Sequence, residues 1–104
     1  MAQEIIHDKF DNEIYLTDER WEHIVETHEE MVGYRGRIFT TLRTGQSRQD
    51  AFDPSKYKYT KRFTDLPEDF THVVVVVKFT QHEDAQGIER PNNFILTAYQ
   101  VSRG

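Results

Sequence analysis

His28 stands where a helix asks for leucine. In RWEHIVETHEEM, from Arg20 to Met31, the apolar residues Trp21, Ile24 and Val25 fall at i, i+3 and i+4, and the next position on that stripe is His28. A titratable ring there has two readings. It is a core-edge histidine bonded to a backbone carbonyl, or it is a general acid or base that the helix aims at the surface it packs on. His23 precedes it by five residues, about 140° round a helix, so the two cannot hold one metal. The stretch also lacks the H-E-x-x-H order of a zinc protease. His7, His72 and His82 are scattered along the chain, so no metal site is expected.

Two further stretches carry chemistry-bearing side chains at strand spacing. In YKYTKRF, Tyr57, Tyr59, Lys61 and Phe63 face one way and Lys58, Thr60 and Arg62 the other. Interleaved tyrosines and cations can stack bases and neutralise phosphate, which makes Lys58 and Tyr59 candidate substrate-binding residues. The plainer reading is a strand with aromatics inward and solvated cations outward. In ILTAYQV, Thr97 and Tyr99 share a face. Their hydroxyls can position a phosphate or polarise water, or they are there because both residue types suit strands. No glycine-rich phosphate loop, nucleophile elbow or interpretable carboxylate pair accompanies them.

Composition narrows the classes. The 104 residues fit one domain, taken here as 1–104, with 37% hydrophobic and 12% aromatic residues to build its core. The absence of cysteine excludes a disulfide framework, a thiolate metal site and a cysteine nucleophile, and is compatible with a reducing cytoplasm. The longest apolar run, Val73 to Val77, is too short to span a membrane. MAQEIIHDKF has no basic region followed by an apolar stretch, so no signal peptide is expected. The net charge is −5, but it is unevenly spread: residues 1–30 hold ten Asp/Glu and two Lys/Arg, whereas residues 31–63 hold eight Lys/Arg and two acids. The basic middle forms an anion-binding face or pairs with the acidic block before it.

Positioning these residues requires both helices and strands. EIIHDKF and EIYLT, parted by Asp11-Asn12, predict a short β-hairpin. Thr17 predicts the cap of a first helix reaching Glu30 or Met31, with Asp18 and Glu19 in its first turn. Tyr34, Ile38 and Leu42 predict a second helix from Tyr34 to Arg43, ended at Thr44-Gly45. SRQDAFD predicts a weak strand stopped by Pro54, YKYTKRF a second, FTHVVVVVKFT a strand buried on both faces at its centre, and FILTAYQV the last. HEDAQGIERPNN predicts a polar loop. The expected fold is α+β: two N-terminal helices on an antiparallel sheet of about four strands, preceded by the hairpin.

A helix ending in His28-Glu29-Glu30, then Tyr59-Thr60-Lys61-Arg62, then Val73 to Lys78, then Thr97-Ala98-Tyr99 resembles the phage-associated nuclease-like domains of the barnase–EndoU–colicin–RelE superfamily. The likeness spans about residues 14–101, with Glu29 where the pattern usually has proline. It implies a metal-independent ribonuclease, toxin-like or phage-encoded, that cleaves RNA by attack of a 2′-hydroxyl on the adjacent phosphate and uses no cofactor. It implies His28 as acid or base, Lys61 or Arg62 as stabiliser of the phosphorane, and Thr97 and Tyr99 as pocket residues. The expected partners are RNA and a neutralising protein, with a homodimer as a further arrangement and no membrane. The alternative is a non-catalytic RNA- or protein-binding domain on the same scaffold.

Overall fold

The computed structural model describes residues 2–103. Its elements run β1 (Gln3–His7), β2 (Glu13–Thr17), α1 (Asp18–Thr27), α2 (Arg35–Thr44), β3 (Gln46–Gln49), β4 (Lys56–Arg62), β5 (His72–Lys78), β6 (Gln81–Glu83), β7 (Glu89–Pro91) and β8 (Asn93–Val101), with a single 3-10 turn at Glu29–Met31 between the helices. No helix among the described residues is long and apolar enough to cross a membrane.

The chain is α+β, but the sheet is larger than expected and mixed. Six strands lie in the order β1-β2-β8-β5-β4-β3, and β6 and β7 pair separately. The N-terminal hairpin therefore does not merely precede the sheet. Its second strand joins β8 in parallel, Ile14 opposite Asn93 and Tyr15 opposite Phe94. The physical reason is burial. Ile14 and Leu16 are fully buried and Ile6 nearly so, and a two-stranded hairpin cannot bury such side chains alone. The polar stretch expected as a loop folds back on itself as the β6–β7 hairpin, with Gly87 at positive φ in its turn.

Local chemistry sets the helix ends. The Thr17 hydroxyl accepts from the Arg20 N–H at 3.1 Å, capping α1 as its sequence predicts. The helix stops at Thr27, short of the expected Glu30 or Met31. Its last turn holds no basic residue, and Glu26, Glu29 and Glu30 put negative charge where the helix dipole is already negative. After α2 the chain enters β3 through Gly45, where a Cβ would lie 2.6 Å from the Thr41 carbonyl oxygen and 2.8 Å from that of Thr60. Glycine is needed there for close approach and not for a left-handed backbone.

Both helices pack on one face of the sheet. Ile24 of α1 and Ile38 and Leu42 of α2 share a core with Tyr59, Val73, Val75, Val77, Ile95 and Ala98. Val74 also is buried, at 2% exposure, although it points to the opposite face. A bulge at Leu96, between the Val76–Thr97 and Val77–Ile95 pairs, shifts the alternation of β8 by one residue, so that Ile95 and Ala98 both face the helices.

Candidate functional site

The face of the sheet away from the helices carries the polar side chains in register. Arg62 lies opposite His72, and His72 opposite Val101. One row along, Thr60, Val74 and Tyr99 align; in the next, Arg48, Lys58, Val76 and Thr97 align. At the end of β4 a cleft of about 270 Å³ is lined by Thr60, Lys61, Arg62, His72 and Arg103, together with Thr44, Gly45 and Gln46. Gln46, Thr60 and Arg103 also line an adjoining groove of about 550 Å³ that includes Arg48, Lys58 and, at one end, the Asp50 carboxylate, on which the Lys58 charge acts.

The charge blocks resolve into two populations. Arg35 reaches back to the acidic N-terminal block, 2.5 Å from Glu4 and 3.5 Å from Asp18. Arg37 pairs with Asp65, and Lys78 with Asp53 at 2.8 Å. Among the described residues, by contrast, Arg48, Lys58, Lys61, Arg62 and Arg103 form no ion pair. The strand beside Lys58 and Arg62 is the valine strand, which offers them no carboxylate. Like charges gathered this way repel, and an anion bound among them relieves that repulsion.

His72 sits within this group. Its Nδ1 is 2.6 Å from the Thr71 hydroxyl oxygen, which also accepts from the Arg103 N–H at 2.9 Å. The bond anchors the ring through Nδ1, and Nε2 has no protein partner among the described residues. Burial, and then the charges of Arg103 and Arg62, hold the His72 pKa below its ordinary 6.5. The ring is therefore neutral at pH 7 and able to accept a proton.

The expected site residues divide. Lys61 and Arg62 line the cleft. Lys58 lines the groove, and Thr97 is on the same open face. His28 meets Tyr99, ring centroids 5.4 Å apart, but on the far side of β8. There Glu30, 3.7 Å from His28 Nδ1, accepts the outward N–H of Gln100. The β8 and β4 backbones are two strand spacings apart, about 10 Å, so His28 and Arg62 do not share a cleft. Nor does His28 continue the helical stripe, since it lies beyond the last turn with φ −128° and ψ 80°.

Tyr59 does not join Lys58 on the open face, where a substrate-binding role was expected of both. It is 1% exposed and faces the helices, with its hydroxyl donating to Asp8 Oδ2 at 2.5 Å. Burial and then the Asp8 carboxylate hold that phenol protonated.

His72, Arg103, Arg48 and Thr60 were missed. A usable signal existed for His72: Arg62 ends one strand and His72 begins the next, so antiparallel pairing aligns them. Among the described residues no three His, Cys, Asp or Glu side chains are placed to hold a metal. Comparison with protein-family models, curated proteins and solved structures finds no match to this chain.

Proposed function

We propose that the chain is a metal-independent ribonuclease that binds single-stranded RNA across the open face of the sheet. The observation that carries this reading is the pair of cations without ion-pair partners among the described residues, Arg62 and Arg103, beside a histidine whose pKa lies below its ordinary value, with Lys61 lining the same cleft from the other side of β4. Arg48 and Lys58 extend the positive surface along a strand of RNA.

In this reading His72 takes the proton of the 2′-hydroxyl, whose oxygen attacks the adjacent phosphorus. The bond to the 5′-oxygen breaks, leaving a 2′,3′-cyclic phosphate and a 5′-hydroxyl end. Arg62 and Arg103 hold the non-bridging oxygens, where charge develops, and Lys61 adds positive charge from the edge of the cleft. Water protonates the leaving oxygen, since the guanidinium groups of Arg62 and Arg103 do not release a proton, and His72 returns its proton to solvent. His28, Thr97 and Tyr99, on and beyond β8, serve as contacts for the flanking nucleotide. The second reading, a non-catalytic RNA-binding domain, rests on the same cations without the proton transfer.

The test is incubation of labelled single-stranded RNA with the protein in EDTA, with analysis of product ends and of binding across salt concentrations. Cyclic-phosphate ends formed in EDTA are expected. So is a log–log salt slope that grows by about 0.7 for each phosphate held. Binding without cleavage would favour the second reading, and no binding at low salt would remove both.

A further inference from the structure

A cleft of about 620 Å³ that the cation site leaves unused opens on the helix side of the sheet, behind β3. Its aromatic walls come from separate parts of the chain: Phe10 from the tip of the β1–β2 hairpin, Tyr57 from β4 and Phe79 from the end of β5. Tyr57 and Phe79 meet edge to face, centroids 5.1 Å apart at 72°, and the buried Tyr59 forms the floor. Phe10 is 62% exposed, but its backbone is held, because Asp8 Oδ1 accepts the N–H groups of Phe10 and Asn12 at 2.9 Å each.

The rim is polar and uncharged. Asn12 Nδ2 donates to Asp8 Oδ2 at 3.1 Å, which orients the amide and leaves its carbonyl oxygen without a partner among the described residues. The hydroxyls of Ser47 and Tyr57 are likewise unpartnered there. Among the described residues no cation lines the cleft; the nearby Lys56 and Lys78 are engaged by Asp53, and Lys9, its Nζ 5.8 Å from the Phe10 ring centroid, donates to the Gly45 carbonyl oxygen at 2.9 Å. A phosphate finds no counter-charge in it, and a phenyl or aliphatic side chain would cover the rim groups without meeting their hydrogen bonds. A neutral flat ring with donors and acceptors on its edge satisfies both the walls and the rim, and the volume admits a ring of that size.

Ser47 lines this cleft and the basic groove alike. Only β3 separates them, a strand of four residues with no strand on its outer side. An RNA whose phosphates lie along Arg48 and Lys58 can therefore turn one base round that edge. We infer that the Phe10–Tyr57–Phe79 cleft is a nucleobase subsite, which selects a base of the RNA held on the open face; this rests on the RNA reading above.

The test is NMR titration of the labelled protein with free adenosine, guanosine, cytidine and uridine, and separately with inorganic phosphate and with phenol. At least one nucleoside is expected to shift the amides of Phe10, Asn12, Ser47 and Ser55 at millimolar concentration, with little change between low and high salt. Phenol should bind more weakly. Phe10→Ala should weaken nucleoside binding roughly tenfold through lost stacking, and Ser47→Ala should alter the preference among bases. The subsite is overturned if no nucleoside shifts these amides, or if phenol binds as well as every nucleoside and Ser47→Ala changes nothing. Phosphate reports on the other site: shifts at Arg62, His72 and Arg103 without nucleoside binding sink the subsite alone. Nucleoside binding with no phosphate or RNA response at those residues sinks the ribonuclease reading and leaves the base pocket standing.

Discussion

His28 and His72 lie on either side of β8, and their surroundings carry opposite charge. His28 rests on the Tyr99 ring with the Glu30 carboxylate 3.7 Å away, outside the sheet. His72 lies between Arg62 and Arg103 at the mouth of a cleft. The first was conspicuous because it interrupted a helical stripe; the second gave no periodic signal. A histidine does acid–base work where its neighbours tune it and where a substrate can reach it. Those conditions belong to the tertiary surroundings and not to the pattern in which the residue is first seen.

The largest expected effect separates the two rings directly. Truncating His72 to Ala should reduce RNA cleavage by about 10²–10⁴-fold, the usual contribution of a general base. His28→Ala should change it by less than tenfold. Single-turnover cleavage measured on both variants checks this, and a reversed order would move the chemistry to the Tyr99 edge. Next come the cations: Arg62→Ala and Arg103→Ala should each slow cleavage by about 10²-fold. Each should also flatten the salt dependence of binding by about 0.7. Lys56→Ala, which removes a cation already engaged by Asp53, should do neither.

Acidity distinguishes binding from chemistry at His72. Its folded pKa lies below the ordinary 6.5, so the ring is neutral above that value. It becomes a further cation as pH falls through the lowered pKa. Over that range RNA binding should tighten while cleavage falls, and filter binding and product formation followed across pH 7 to 5 reveal the split. Parallel loss of both would assign the titration to another group.

Stability provides the next contrast, between the open face and the opposite one. Asp8 is buried at 6% exposure and accepts from Tyr59, from the Asn12 side chain and from the N–H groups of Phe10 and Asn12. Burial pushes its pKa up, but these hydrogen bonds outweigh that and leave it below 3.8. Its contribution is therefore present above about pH 4 and lost as pH falls through the lower folded value. Asp8→Ala should cost about 3 kcal/mol, because it leaves the Tyr59 hydroxyl buried without an acceptor. Urea unfolding measures it. Arg62→Ala, on the exposed face, should fall within about 0.5 kcal/mol. Smallest of all, His28→Leu should shift stability by about 0.5 kcal/mol or less, since the ring is outside the helix and partly exposed; a large destabilisation would make His28 a core residue after all.

The alternation in YKYTKRF, the Val73–Val77 run and the Thr17 cap were legible without coordinates, because each is a short-range pattern imposed by backbone period or by a capping hydrogen bond. They determined the α+β class, the two helices and which side of β4 each residue faces. Only the tertiary structure decided that β2 runs parallel to β8, that Tyr59 is spent on Asp8 fifty-one residues away, that Arg35 is neutralised while Arg62 is not, and that His72 joins Arg103. Each of these depends on which distant segments share a face. Burial of Ile14 and Leu16 drives the first; a buried hydrogen bond holds Tyr59, ion pairs hold Arg35, and the Thr71 hydroxyl holds His72 and Arg103 together, and none of these leaves a mark in the spacing of neighbouring residues.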